Sequence, residues 1–374
     1  MAKYKYIWQE KGWPHFIWDD SQLIKELSRA RQLQGQLHSK IQDLGLESQA
    51  KILVEDAQMT SAIEGEKLEV NSLRSSVARR LGLSTVGEHL EERKIEGLIS
   101  MLIDATQNHE KPMTKERLWG WQAGLFPTGH SGIHKIEVGK WRKGQEPMQV
   151  VSGQMGKVKV HFEAPPSSLV KTEMDQYLKW LNSKPDTDGL IRAAMAHLWF
   201  VTIHPFDDGN GRLARALTDY CLAQDEKKSI RYYSLSSQIS KDRGNYYRQL
   251  EESQKGGLDI TPWIIWFLQT FQKALLKSEE LIHQSMMIGH FWKEQAQAEL
   301  SPRQRKVIQK LLDAGPDGYI GGMTNKKYVS LTRVSRETAK RDLADLEEKG
   351  ILQRGHEKGR SVKYFLKMWE NKKG

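Results

Sequence analysis

The segment His204-Pro205-Phe206-Asp207-Asp208-Gly209-Asn210-Gly211-Arg212-Leu213-Ala214-Arg215 gathers groups that could do chemistry on a polyphosphate. Gly209, Asn210 and Gly211 all tolerate positive φ, so the turn can aim several backbone N–H groups into one concavity. A helix beginning near Gly211 would add the positive end of its dipole. Arg212 and Arg215 are three apart, share a helix face and can clamp phosphates bidentately. Asp208 offers a hard oxygen to Mg²⁺, which usually takes one or two carboxylates plus substrate phosphates. His204 is the local group able to accept a proton near neutral pH. A Gly-Asn turn capping a helix, with a satisfied histidine nearby, would account for any one of these pieces taken alone.

These residues need elements to hold them. Leu190, Ile191, Ala194, Leu198 and Val201 make a strongly apolar helix that runs straight into His204-Pro205. Proline disfavours helical geometry at the residue before it, so His204 is expected at the head of a loop. Phe206 reads as a core anchor, Asp207 as exposed, and His197 as a satisfied buried histidine. Between Gly139 and Pro166, Gly144, Gly153 and Gly156 accompany the alternating run Lys157-Val158-Lys159-Val160-His161-Phe162, a β-hairpin inside a helical domain. Upstream, Trp8, Trp13, Phe16 and Trp18 suggest the core of a small domain, followed by a helix carrying Ala50, Leu53, Val54 and Ala57. From about Ser301 the order is helix, helix, helix, hairpin. Its members are Val307 to Leu312, Asn325 to Leu331, Ser335 to Lys349 (ended by Gly350), then Ile351 to Arg354 and Val362 to Leu366. That is the order of a winged helix.

Composition sets the outer limits. Of 374 residues, 38% are hydrophobic and 28% charged, which suits two or three packed domains and not a disordered chain. The sole cysteine, Cys221, lies in a helical stretch; a cysteine-based zinc site is excluded and an inert buried thiol expected. No apolar run approaches a membrane span and Met1-Ala2-Lys3-Tyr4 opens no signal peptide, so a cytoplasmic protein without membrane attachment is expected. The net charge of +10 is uneven: Ser301 to Gly374 holds 18 Lys and Arg against 9 Asp and Glu, leaving 39 against 38 elsewhere. Arg333, Arg336, Lys340 and Arg341 near the third C-terminal helix, with Arg354, Lys358 and Arg360 around the wing, form the footprint of DNA binding. A solvated basic surface, or a winged helix used for protein contacts or homodimerisation, is the competing use of that domain.

The string from His204 to Arg215 matches without a gap the pattern His-x-Phe-x-(Asp/Glu)-Gly-Asn-Gly-Arg-x-x-Arg, and the chain thereby resembles the Fic family of protein adenylyltransferases. The resemblance implies a mainly α fold: a Fic helical core with a β-hairpin flap, an N-terminal helical domain and a C-terminal winged helix. The expected domains are 1–84, 85–298 (core and trailing helices) and 299–374. It implies that a hydroxyl of a target protein attacks the α-phosphate of ATP, with His204 as general base. Asp208 would hold Mg²⁺, Gly209, Asn210 and Gly211 would cradle the phosphates, and Arg212 and Arg215 would bind the β- and γ-phosphates. The hairpin from about Glu146 to Phe162 would pin the target's backbone as an added strand. Tyr247 and Gln254 fall at adenine-contacting positions.

Thr60-Ser61-Ala62-Ile63-Glu64-Gly65 matches the family's inhibitory pattern, (Ser/Thr)-x-x-x-Glu-(Gly/Asn), and resembles the class with an N-terminal inhibitory helix. Glu64 would then pair with Arg215 in the γ-phosphate's place, and the pair must be desolvated and bidentate to silence the enzyme. In some relatives the same glutamate activates water to remove AMP; the sequence leaves that open. Other Fic-like transfers, of UMP, phosphocholine or phosphate, use the same loop. The competing function is a DNA-binding regulator whose Fic domain senses nucleotide without turning it over.

Overall fold

The computed structural model describes residues 6–41, 45–83, 92–144, 146–152, 159–183, 186–315, 319, 321–355 and 362–368. The chain forms two compact units, Met1–Glu279 and Glu280–Gly374. Both are mainly helical, and the strands come as short antiparallel pairs.

At the centre of the first unit are α7 (Gly189–Ile203) and α8 (Asn210–Glu226), packed along each other. Helix α7 buries Leu190, Ile191 and every residue from Ala193 to Ile203. A helix apolar on all sides is stable only when surrounded, and its neighbours supply the surroundings. Trp13, Phe16, Tyr177 and Trp180 all set their rings against Trp199. Tyr177 donates its hydroxyl to the Ala196 carbonyl at 3.1 Å, and Trp263 its indole N–H to that of Ala194 at 2.8 Å. Of the N-terminal aromatics, Trp13 and Phe16 therefore enter a core, one shared with α7 and with Tyr177 and Trp180 of α6 (Ser167–Leu181), while Trp18 only bonds Asp20. Ile17 is bridged in parallel to Asp259, which ties the same segment to the end of the unit.

The remaining helices wrap this pair. Helices α1 (Asp20–Lys40), α2 (Leu46–Ile63), α3 (Val70–Arg80), α4 (Arg93–Gln107) and α5 (Lys115–Leu125) precede it. Helices α9 (Leu235–Lys241), α10 (Arg243–Lys255) and the long α11, which begins at Thr261, follow. Helix α2 packs on α3, α4, α8 and α9, with Ser234 donating to Asp56 at 2.5 Å and Ser237 to Glu55 at 2.6 Å.

Two hairpins lie between α5 and α6. A small one joins β1 (His130–Ser131) to β2 (His134–Lys135) and has no sequence signal of its own. The larger pairs β3 (Gln149–Ser152) with β4 (Lys159–Glu163), with a register shift between Val150 and Val151. Its connecting residues, 153–158, lie outside the described residues, as do the 84/85 domain boundary and Lys358 and Arg360. Trp8 donates to the Glu163 carbonyl at 2.8 Å, and Tyr6 meets Phe162 edge to face, so the N-terminal segment braces the root of β4.

The second unit has the winged-helix order. It runs α12 (Pro302–Ala314), α13 (Asn325–Thr332), α14 (Arg336–Glu348), β5 (Leu352–Arg354) and β6 (Tyr364–Leu366), with Met323 bridged to Tyr364. Val307, Ile308, Leu311, Tyr328, Leu343 and Leu346 form its core. No helix among the described residues is long and apolar enough to cross a membrane.

Candidate active site

His204 caps α7 at φ 51° and ψ 58°, in the left-handed region. The expected departure from helix before Pro205 occurs, but into the left-handed well and not an extended one. Three contacts hold it there. Its N–H donates to the Phe200 carbonyl at 3.0 Å, its own carbonyl accepts from Arg142 Nε at 2.7 Å, and Nδ1 lies 3.3 Å from the Val201 carbonyl. With Nδ1 facing a carbonyl, Nε2 is the nitrogen left to accept a proton. Burial drives the His204 pKa down to about 4, assisted by the Arg142 charge and opposed by the Val201 carbonyl, Asp208 and Glu64. The imidazole is thus neutral, and competent as a base, well below neutral pH.

Beyond it the loop is closed from inside. Phe206 is fully buried and meets Trp141 with ring centroids 5.0 Å apart. Asn210 spends its side chain on one residue, accepting from the Phe206 N–H at 3.0 Å and donating to its carbonyl at 2.8 Å. Of the three cradle residues, Asn210 therefore has only backbone to give. Asp207 is not free in solvent as expected: it is half-buried, accepts the Glu137 N–H at 2.8 Å and staples the loop to the segment that follows β2. Gly209, at φ 91°, turns the chain into α8.

Asp208 accepts a hydrogen bond from Ser131 on β1 and one from the Gly209 N–H at 2.5 Å, with Arg212 at 3.9 Å. Among the described residues no group of three or more His, Cys, Asp or Glu side chains could enclose a metal. One carboxylate beside a hydroxyl fits an ion that draws most of its ligands from substrate phosphates and water, as Mg²⁺ does.

The two arginines are both 2% exposed, and both are engaged by the segment that ends α2. Arg215 gives Nε to Thr60 Oγ1 at 2.7 Å, and Nη2 to the Thr60 carbonyl at 2.9 Å and to Glu64 Oε1 at 2.7 Å. The expected bidentate Glu64–Arg215 fork is not formed; Thr60 takes the other donor. Burial opposes the charge of Arg215, yet its pKa is raised, chiefly by Glu64. Arg212 donates to Glu66 at 3.0 Å and lies 5.0 Å from the ring of Phe126, and Glu66 is held in turn by Lys94 at 2.7 Å. Glu66 was not singled out from the sequence. Arg212 Nε and Arg215 Nη1 are buried without a hydrogen-bond partner, a state that ordinarily costs ~1–3 kcal/mol per group. A Cβ built at Gly211 would lie 2.3 Å from Glu64 Oε1, so the carboxylate occupies the space that glycine leaves on α8.

Tyr247 of α10 is 36% exposed and donates to the Ile63 carbonyl at 3.2 Å, immediately beside Glu64. Gln254 is 5% exposed with its amide 3.3 Å from Thr202 Oγ1. His197 is the satisfied histidine expected, bonded to Thr218 and Tyr246 at 2.9 Å each. Burial, with a contribution from Arg215, takes its pKa down to about 3. Cys221 is buried, and burial raises its thiol to about 11.

Residues 112–222 match the model of the Fic/DOC family, residues 6–83 that of a domain of unknown function (DUF4172), and residues 321–363 that of the DeoR-like helix-turn-helix domain. A "Protein adenylyltransferase Fic" of Nematostella vectensis is 28% identical over 222 residues, 58% of this chain and 46% of that protein. One of the same name from Aedes aegypti is 27% identical over 57% of this chain and 39% of its own length. The chain thus spans less than half of these curated relatives. A solved Fic family protein from Desulfovibrio desulfuricans aligns over 94% of this chain and 97% of its own (TM-score 0.53, 18% identity), which supports the fold. Fic-1 from C. elegans aligns over 71% and 76% (TM-score 0.51, 18% identity).

Proposed function

We propose that this chain, which carries a Fic domain over residues 112–222 and a helix-turn-helix domain over residues 321–363, is a restrained protein adenylyltransferase. The observation that carries the reading is the pair of buried, unpartnered guanidinium N–H groups, Arg212 Nε and Arg215 Nη1, on the first turns of the helix that follows His204. Placed at the positive end of α8, these two groups can take up an anion, and the phosphates of ATP would supply one. His204 Nε2 takes the proton from a target Ser, Thr or Tyr hydroxyl. That oxygen bonds to the α-phosphorus, the bond to the bridging oxygen breaks, and pyrophosphate leaves. Backbone N–H groups at Gly209 to Gly211 hold the phosphates, with Arg212 and Arg215 on the β- and γ-groups. Asp208, steadied by Ser131, would hold Mg²⁺, which supplies charge neutralisation on the phosphates when bound. Tyr247, 36% exposed beside Glu64, is the better placed of the two adenine candidates, since Gln254 is buried.

Glu64 and Thr60 restrain the enzyme by occupying Arg215, and β3 and β4 present the target's backbone as an added strand. Transfer of label from α-³²P-ATP by Glu64→Gly, with Glu64→Gly/His204→Ala as control, tests the reading. Equal labelling by the two would remove His204 from the chemistry and the adenylyltransferase reading with it.

A second activity has its own observation. Arg333, Arg336, Lys340 and Arg341 are all exposed, and none is in an ion pair among the described residues. Exposed cations grouped at the start of the third helix of a winged helix favour duplex DNA as a partner.

A further inference from the structure

Arg142 is a buried cation that forms no ion pair among the described residues, with the charge of Asp207 felt only from further off. It is 4% exposed, and its guanidinium turns to backbone carbonyls: His204 at 2.7 Å from Nε, then Pro165 at 2.5 Å and Ile203 at 3.4 Å from Nη2. Its own N–H donates to the Pro205 carbonyl at 2.9 Å. Burying a guanidinium is costly unless its donors are used, and here Nε and Nη2 are spent on the backbone of Ile203, His204 and Pro165.

The arrangement has a second end. Pro165 lies two residues past the end of β4, and the neighbour of Arg142, Trp141, packs on Phe206. One side chain therefore joins the root of the hairpin to the carbonyls on both sides of the Ile203–His204 step. A non-glycine residue at positive φ before a proline is strained on two counts and persists only when its surroundings determine it. The bonds of Arg142 to the Ile203 and His204 carbonyls, together with the contacts to Phe200 and Val201, supply that determination.

We propose that Arg142 is a positioning residue for the transfer reaction, fixing the left-handed backbone of His204 and coupling it to the hairpin through Pro165. It touches neither substrate nor reacting atom; it acts through the backbone of the base. The inference rests on the adenylyltransferase reading above. The charged groups facing His204 are Arg142, Asp208 and Glu64, with Asp207 acting on Arg142 itself. Of these Arg142 alone favours the neutral imidazole.

The test uses the full chain in the Glu64→Gly background, with Arg142→Gln and Arg142→Lys. Both variants lose the fork across the carbonyls, so kcat should fall about 100-fold, the scale on which misplacement of a catalytic group costs rate. Affinity for ATP should stay within about two-fold, because the phosphate groups of α8 are untouched. Lysine keeps the charge and glutamine does not. In Arg142→Gln the acid limb of the rate profile should therefore move to higher pH, while in Arg142→Lys it stays. Loss of rate and ATP affinity together, with the limb unmoved in both, would reduce Arg142 to general structural support and overturn the proposal. Should Arg142→Gln not fold, Arg142→Lys carries the test alone through the kcat-against-affinity split. A second readout does not depend on turnover: the ¹⁵N-imidazole titration of His204, assigned with His204→Ala. An inactive Glu64→Gly parent would sink the adenylyltransferase reading, and the titration would still decide the place of Arg142. A midpoint raised in Arg142→Gln supports it, and an identical midpoint overturns it.

Discussion

Arg215 is bound more fully by Thr60 than by Glu64: two of its three hydrogen bonds go to the threonine, one to its hydroxyl and one to its carbonyl. The restraint on Arg215 is therefore shared along the last turn of α2 and does not hang on one ion pair. Holding a switch near 99:1 requires about 2.7 kcal/mol, more than an exposed pair supplies at ~0–1 kcal/mol. Hydrogen bonds to a charged group are worth ~1.5–3 kcal/mol each, so the combined set suffices where the pair alone would not. Glu64→Gly should give the larger rise in self-labelling from α-³²P-ATP, since it also clears the space over Gly211. Thr60→Ala should give a rise of about ten-fold, equivalent to one lost bond. Unchanged labelling in Thr60→Ala would return the whole restraint to Glu64.

His204→Ala removes the base and leaves the phosphate-binding groups in place. In the Glu64→Gly background the rate of label transfer should fall by ~10²–10⁴-fold. ATP affinity, measured by calorimetry, should stay within a few-fold.

The pH dependence follows from the burial of His204. Its pKa is driven below the ordinary 6.5, to about 4, and the neutral form is the base. Lowering pH from neutral should leave the rate nearly level until the imidazole begins to take a proton near that lower value. A rate that halves close to pH 6.5 would mean an imidazole exposed to water in the working enzyme.

Glu66 engages the other arginine. Glu66→Gln weakens its hold on Arg212 and on Lys94, and labelling should rise by a few-fold, less than in Glu64→Gly because Arg212 also packs on Phe126. Because Arg212 and Arg215 would bind one polyphosphate, the two substitutions should be non-additive in a double-mutant cycle. Strict additivity would make Glu66 an independent surface pair.

Duplex DNA binding, if carried by α14, should weaken with salt along a log–log slope set by the number of phosphates contacted. Arg336→Ala and Lys340→Ala should each reduce the slope by about one and weaken random duplexes uniformly. Salt-independent retention of duplex would assign the exposed cations another role.

The string from His204 to Arg215 was legible because its meaning lies in spacing along a single loop and helix turn. The apolar run into His204-Pro205 and the winged-helix order were legible for the same local reason. What escaped was contributed from elsewhere in the chain. Glu66 meets Arg212 across 146 positions, Ser131 meets Asp208 across 77, and Arg142 meets His204 across 62. No periodicity reports such distances, and Arg142 sits in a stretch whose glycines announced only a hairpin. Asp207 was misjudged because the partner that covers it, the Glu137 N–H, belongs to backbone. Of the aromatic start, Trp13 and Phe16 pack on α7 and Trp8 on β4, whereas Trp18 only bonds Asp20; neither the shared core nor its host helix could be named without the fold.

Gly211 has no side chain to share, and the Glu64 carboxylate lies in the space where its Cβ would be. On the proposed mechanism the γ-phosphate of ATP claims that same volume. Anything larger than hydrogen at this position would evict the lock and obstruct the key in one stroke. Inheritance therefore has no route to a looser enzyme through residue 211. On that mechanism the α2 side, between Thr60 and Glu66, is where a change can alter how firmly the site is shut without altering what it does once open.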